Sequence, residues 1–84
     1  MADTAADLAV VDKYIDEITV FINSIICEEK QSILIACKVF LAHKEKNNTK
    51  PFKDEGRRKM WLYLKARNLA RDYMHKQALA NVQA

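Results

Sequence analysis

The feature that most restricts the fold of this chain is its shortage of turn residues. Its 84 residues include one glycine, Gly56, and one proline, Pro51. Hairpins and Greek-key connections rely on glycine, proline and asparagine for their tight turns, so the chain has few of the connections that a β-sheet needs. The sequence therefore predicts an all-α protein with a three-helix, bundle-like protomer, forming one small domain over residues 1–84.

The first predicted helix covers about residues 4–26 and has apolar residues at spacings of three and four. This is the pattern of a helix-packing seam. Val10, Tyr14 and Phe21 lie beside the seam and make the apolar arc wider than one antiparallel neighbour covers. The seam is either bundle core or a self-association surface, and the sequence leaves both open. Its members on this helix are Leu8, Val11, Ile15, Ile18, Ile22 and Ile25.

The second predicted helix covers about residues 29–46 and follows a tight turn or a sharp kink between Ile26 and Lys30. The sequence leaves open whether the first two helices are separate or form one bent helix. It is apolar nearly all round, which is typical of a buried helix. Because two partner helices in so short a chain can hardly enclose it, we predict a homodimer in which this helix and part of the first meet their symmetry mates. One apolar face holds Ile33, Leu34, Cys37, Phe40 and Leu41, of which Ile33, Cys37 and Phe40 join the candidate dimer or core seam, and the other face holds Ile35, Ala36 and Val39.

The third predicted helix covers about residues 54–79, after a loop at residues 47–53, and its last residues are expected to fray. Either Pro51 lies in its first turn or Asp54 caps a later start. One side is apolar and expected in the core, whereas the opposite side is basic. The candidate nucleic-acid-binding residues on this helix are Arg57, Arg58, Lys59, Lys65, Arg67, Asn68, Arg71 and His75.

Charge is distributed unevenly along the chain. Residues 1–29 hold seven acidic residues and one basic residue, a net charge of −6, and residues 30–84 hold thirteen basic and four acidic residues, a net charge of +9. A basic half suggests an anionic partner. We therefore predict a non-enzymatic protein that binds the phosphate backbone of a duplex through its third helix, without base-specific readout. RNA is preferred over DNA because no short helix-turn-helix precedes the basic helix.

Two other interpretations stay open. The acidic first helix could simply lie against the basic third helix, so that the charges serve the fold. Alternatively, the protein is a small interaction module, an adaptor, inhibitor or regulator, that docks an acidic amphipathic partner on Trp61, Leu64 and the nearby arginines. Trp61 itself either packs, at the end of the bundle or in a dimer seam, or offers a stacking platform for bases.

Catalysis and metal binding find little support in the sequence. Cys27 and Cys37 are ten residues apart and form no C-x-x-C pair, and His43 and His75 are distant in sequence, so the sequence offers no zinc-site spacing. There is no glycine-rich phosphate loop and no nucleophile elbow. We predict no enzymatic activity, no cofactor and no metal, with both cysteines reduced and Cys37 in the core. We also predict no membrane span, no signal peptide and an intracellular protein.

At the level of architecture alone, a short, helical, dimeric and basic protein resembles the viral suppressors of RNA silencing, such as those of nodaviruses, which hold duplex RNA on helices. The resemblance implies binding of duplex RNA and a regulatory role. It is carried by no sequence motif, and it assigns no residue of this chain.

Overall fold

Three α-helices make up the protein: α1 (Thr4–Ile26), α2 (Glu29–Thr49) and α3 (Glu55–Gln83). The computed structural model describes the backbone of residues 4–83 and the side chains of residues 8–82. Each helix packs against the other two, and the described backbone holds no strand. The prediction of an all-α protein with a three-helix, bundle-like protomer is therefore confirmed.

The turn between α1 and α2 consists of two residues, Cys27 and Glu28. Cys27 takes the left-handed conformation, with φ at 56°, and its N–H donates to the carbonyl of Asn23 at 2.8 Å. This is the single hydrogen bond of an αL cap, which satisfies one of the last free carbonyls of α1. On the α2 side of the turn, the N–H and the Oγ of Ser32 both donate to the carbonyl of Glu28, at 2.9 and 2.7 Å, and these bonds fix the first turn of α2.

Two helices extend further than the sequence suggests. α2 continues to Thr49 instead of Lys46, because Lys50, the residue before Pro51, is the first one forced into extended backbone. The intervening loop is therefore residues 50–54. α3 continues to Gln83 instead of fraying after Leu79, since its last residues include neither glycine nor proline. With 29 residues, α3 accounts for the 47 Å length of the molecule.

The core lies where the three helices meet, and α3 contributes small residues to it. Ala66 and Ala70 are fully buried, which lets the backbone of α3 approach its neighbours. Of the predicted seam, Ile18, Ile22 and Phe40 are buried and Val11, Ile15 and Ile25 are partly buried against them. The buried apolar residues are Tyr14, Ile18, Ile22, Ile26, Ile35, Ala36, Val39, Phe40, Leu62, Ala66 and Ala70.

Three seam residues do not belong to the core of the protomer. Leu8 is 59% exposed and Ile33 is 49% exposed, and Cys37, which the sequence predicts in the core, is exposed as well. The reason is the rotation of α2, which turns Ser32, Ile35, Ala36, Val39 and His43 inward. Its other apolar face, with Ile33, Leu34, Cys37 and Leu41, is exposed.

Each tyrosine of the chain donates its hydroxyl hydrogen bond to a glutamate of a different element. Tyr14 of α1 donates to Glu55 of α3 at 2.8 Å, Tyr63 of α3 donates to Glu17 of α1 at 2.5 Å, and Tyr73 of α3 donates to Glu28 in the turn. The bond to Glu17, together with burial, raises the pKa of Tyr63 to about 12. The acidic α1 therefore lies against part of α3 through charged and polar contacts.

Candidate nucleic-acid interface

The first turn of α3 is capped by Asp54. Its Oδ1 accepts the backbone N–H of Arg57 at 2.8 Å, the bond that an N-cap carboxylate makes three residues into a helix. Gly56 lies between them, where a Cβ would come within 3.3 Å of the same oxygen. Of the two starts that the sequence leaves open, the structure has the one at Asp54, and Arg57 is held at the base of the basic face.

The basic residues at the start of α3 have acidic partners within the protomer. The Nε of Arg57 lies 3.5 Å from Asp54 Oδ2, Arg58 pairs with Glu55, and Lys59 Nζ lies 3.8 Å from Glu17 Oε2. The guanidinium of Arg58 also lies 5.6 Å from the ring centre of Phe52, and only 20% of its side chain is exposed. Arg58 thus contacts Phe52 of the preceding loop, and Lys59 contacts Glu17 of α1, so both help to hold α3 in place.

The basic residues further along α3 are differently placed. Arg67 and Arg71 are exposed and lie one turn apart, about 6 Å along the helix axis. Asn68 and His75 are exposed beside them, whereas Lys65 is half-buried. Among the side chains that the structure describes, Lys65, Arg67 and Arg71 form no ion pair. We call the exposed row the α3 stripe: Arg57, Arg67, Asn68, Arg71 and His75.

A cleft of about 400 Å³ adjoins the stripe where the loop meets α3. Its floor is apolar: the ring centres of Phe52 and Trp61 are 5.7 Å apart, and Met60 is 65% exposed. Its rim carries four positive charges, with Lys46 Nζ only 4.5 Å from the centre of the Phe52 ring. We call it the basic cleft, and its lining is Lys46, Lys50, Pro51, Phe52, Lys53, Arg57, Met60, Trp61 and Leu64.

Trp61 is partly buried and takes part in an aromatic cluster behind this cleft. The buried His43 stacks on Phe52 with ring centres 5.4 Å apart, and Trp61 meets His43 edge-on at 6.1 Å. This is the packing role that the sequence allows for Trp61, although one part of its ring still lines the cleft. Leu64, predicted beside it as a partner contact, is 44% exposed.

Sequence reasoning missed the contribution of the α2–α3 loop to this surface. Lys46, Lys50 and Lys53 flank Phe52 at intervals of three and four residues, a spacing that could have placed them on one side of a turn. Their convergence with Arg57 depends on where the loop returns to α3. The basic surface therefore extends about 27 Å along α3, from Arg57 to His75, and widens at the loop end.

The described residues offer neither a candidate metal site nor a candidate membrane span. No group of three His, Cys, Asp or Glu side chains within them could hold a metal ion. No helix in this part of the chain is both long and apolar enough to cross a bilayer. The chain matches no protein-family model, no curated protein and no solved structure, so no residue role is transferred from another protein.

Proposed function

We propose that the protein binds the phosphate backbone of a duplex, RNA before DNA, through the α3 stripe. The observation that carries this proposal is the exposure of Arg67 and Arg71, one turn apart, without an acidic partner among the described side chains. Unpaired guanidinium groups keep their full attraction for phosphate, because no internal ion pair has to be broken first. Each phosphate contact releases counterions and makes binding weaken with salt.

The surroundings of the stripe fit a ligand recognised by its backbone. Three of the five stripe residues are arginines, which bind phosphate oxygens as well as guanine edges. Because side chains cannot read the deep, narrow major groove of an RNA duplex, we expect these arginines to contact the backbone and affinity not to depend on sequence. The width of the basic surface at the loop end, with Lys50 and Lys53 beside Arg57, suits a ligand broader than one strand. Double-stranded RNA is mostly recognised in this way, through shape and phosphate contacts.

The test is fluorescence anisotropy of a labelled RNA duplex of about 20 base pairs at two salt concentrations. Wild-type protein should bind in the micromolar range or tighter, and an Arg67→Glu/Arg71→Glu protein should lose on the order of 100-fold in affinity and about two units of salt slope. The matched control is Lys30→Glu/Lys38→Glu, which makes the same change of net charge at exposed positions of α2 that form no ion pair with a described side chain. This control should bind nearly as well as wild type.

An Arg67→Glu/Arg71→Glu protein that stays folded and binds duplexes as tightly as wild type overturns the proposal. A DNA duplex of the same length serves as the second ligand. Equal binding of both duplexes removes the preference for RNA but leaves the phosphate contacts in place.

The basic cleft favours a second candidate function, the docking of an acidic amphipathic protein segment. Its apolar floor and cationic rim are complementary to a helix with leucines on one face and glutamates on the other. Trp61 is the single tryptophan of the chain and lines the cleft, so its fluorescence reports on occupancy there. A labelled helical peptide of that composition should shift the Trp61 emission and lose affinity in Met60→Glu protein, whereas Arg67→Glu/Arg71→Glu should matter less.

We further propose that the protein acts as a homodimer, which duplicates the α3 stripe. The support is the outer face of α2, where Leu34 is 54% exposed and Leu41 is 64% exposed. Apolar side chains grouped on one face are typical of an association surface. Sedimentation of the purified protein at several concentrations tests this proposal.

A further inference from the structure

A groove between α1 and α2 is separate from both candidate surfaces described above. It has a volume of about 400 Å³, and binding sites for small molecules begin at about 300 Å³. It shares no described lining residue with the basic cleft and includes no residue of the α3 stripe. We call it the α1–α2 groove, and its apolar lining consists of Leu8, Val11, Ile15, Cys37, Phe40 and Leu41.

The core of the protomer covers this apolar lining only in part. Phe40 is buried, and Val11 and Ile15 are partly buried against the core, so these three side chains make a fixed floor. Leu8 and Leu41 are exposed and can lose contact with water only when a further molecule enters. An apolar ligand would therefore gain binding energy from walls that are already in place.

The dimensions of the groove suit a single acyl chain. Its lining extends for seven residues along each helix, from Leu8 to Ile15 and from Cys37 to Lys44, which is about 10 Å. A volume of about 400 Å³ over this length corresponds to a cross-section of about 40 Å². An α-helix with its side chains is about 10 Å across and needs about twice that area. A hydrocarbon chain, one methylene wide, fits between the walls, whereas a helix of a protein partner would stay outside them.

One end of the groove carries a positive charge. Among the described residues that line it, Lys44 is the only lysine or arginine, and none is acidic. Lys44 is exposed and forms no ion pair with a described side chain, and Asp12, next to Val11, is exposed without lining the groove. Because a two-residue turn joins the helices, Lys44 lies with Leu8 at the end away from the turn, and Cys37 lies nearer to it.

From this arrangement we propose that the α1–α2 groove binds a single-chain fatty acid. The carboxylate pairs with the ammonium of Lys44, and the hydrocarbon chain lies along Phe40 and Leu41 towards Cys37. The apolar stem of Lys44 can cover the first methylenes of the ligand while its ammonium stays in water. The site is independent of duplex binding, since it uses no residue of the α3 stripe.

Isothermal titration calorimetry of the dilute full chain with dodecanoate, below the micelle concentration, tests binding. Dodecanoate should bind with a negative change in heat capacity, which marks the burial of apolar surface. Dodecyltrimethylammonium has the same chain with a positive head group and should bind at least about threefold more weakly, because Lys44 repels it.

The two cysteines report where the ligand lies. Both are free and exposed, but only Cys37 lines the groove, and Cys27 lies in the α1–α2 turn. In Cys27→Ser protein, dodecanoate at about ten times its Kd should slow the reaction of Cys37 with a neutral maleimide by about tenfold, because only the free form reacts. In Cys37→Ser protein, the reaction of Cys27 should keep its rate.

Lys44→Gln tests the charged end of the groove. It should weaken dodecanoate binding by about threefold to fivefold and leave the helical circular dichroism unchanged, since Lys44 is exposed. The matched control is Lys30→Gln, which removes the same charge from an exposed position of α2 outside the groove and should bind as wild type does. Equal affinities of the two variants would contradict the pairing with Lys44.

Absence of dodecanoate binding overturns the inference, as does equal protection of Cys27 and Cys37. Leu41 belongs to the groove and to the outer face of α2, so a second copy of the chain is the competing occupant. If Cys37 reacts slowly without ligand and faster on dilution of the protein, a second copy covers the groove and the fatty-acid site is refuted. A protein that binds dodecanoate but no duplex RNA refutes the proposed function alone and leaves this site intact.

Discussion

We divide α3 after Leu64 into a first half, with three basic residues, and a longer second half, with four, and the two use their positive charges differently. In the first half, Arg57, Arg58 and Lys59 have acidic partners at Asp54, Glu55 and Glu17, and Tyr63 ties the helix to α1. In the second half, Arg67 and Arg71 are exposed and form no ion pair with a described side chain. A basic sequence is therefore not a uniform binding surface. Arg58 and Lys59 of the first half mainly hold the fold together, whereas Arg67 and Arg71 of the second half are available to a ligand.

The largest expected effect is on the free energy of unfolding, and it compares a buried with an exposed leucine of the first half. Leu62 is fully buried and Leu64, two residues later, is 44% exposed. Leu62→Ala should lower the free energy of unfolding by about 3 kcal/mol, because it removes buried methyl groups and leaves a cavity. Leu64→Ala is the matched control and should change it by no more than about 0.5 kcal/mol. Urea titration followed by circular dichroism measures both, and equal losses would show that the first half is not the anchored one.

The next effect compares one basic residue from each half in duplex binding. Arg67→Gln should weaken binding of an RNA duplex by about tenfold, which corresponds to about 1.4 kcal/mol, because an unpaired guanidinium is removed. Lys59→Gln removes the same charge, but from an ammonium that already pairs with Glu17 at 3.8 Å. It should weaken binding less than twofold. Anisotropy titrations at one salt concentration give both values. Comparable losses of affinity in the two proteins would show that the two halves do not differ in duplex binding.

The smallest effect tests how the first half is attached to α1. Tyr63→Phe removes the hydrogen bond to Glu17 and should lower the free energy of unfolding by about 1 kcal/mol at neutral pH. Because the pKa of Tyr63 is raised to about 12 in the folded protein, from 10.0, its contribution is complete below pH 10 and is lost as the pH rises towards 12.

The pH dependence supplies the check on this attachment. Wild type should lose more stability than Tyr63→Phe protein between pH 9 and pH 11.5 when both are followed by thermal unfolding. Parallel curves for the two proteins would mean that the hydroxyl of Tyr63 is not tied to Glu17. The raised pKa values of Tyr14 and Tyr73 act in the same direction in both proteins and so cancel in the comparison.

The helices were predictable because their signals are local. Glycine and proline are nearly absent, and the apolar residues of α1 repeat at helical spacing, so the three-helix class follows from neighbouring residues. The inward face of α2 was not predictable, since a helix that is apolar nearly all round has no pattern to indicate which side is buried. Its orientation depends on partners outside α2, such as Asn23 of α1 for Ser32 and Phe52 of the loop for His43.

The candidate interface shows the same limit. Sequence spacing correctly gathers Arg67, Asn68, Arg71 and His75 on one exposed face, because those residues belong to a single helix. It could not reveal that Lys59 meets Glu17, forty-two positions earlier, nor that the lysines of the loop surround Phe52. These contacts are set by how the three helices pack, which no helical pattern encodes.

The two-residue turn at Cys27 and Glu28 also bears on the order of folding. It joins α1 and α2 so closely that their contacts span few residues, as in the Ser32–Asn23 hydrogen bond, which is nine positions apart. The tyrosine–glutamate contacts of α3 close loops of 41 to 46 residues, and longer loops cost more entropy to close. The α1–α2 hairpin should therefore form before α3 docks.

Leu62→Ala should then speed unfolding while leaving the folding rate nearly unchanged in stopped-flow experiments. A slower folding rate would show that α3 is already in place at the transition state.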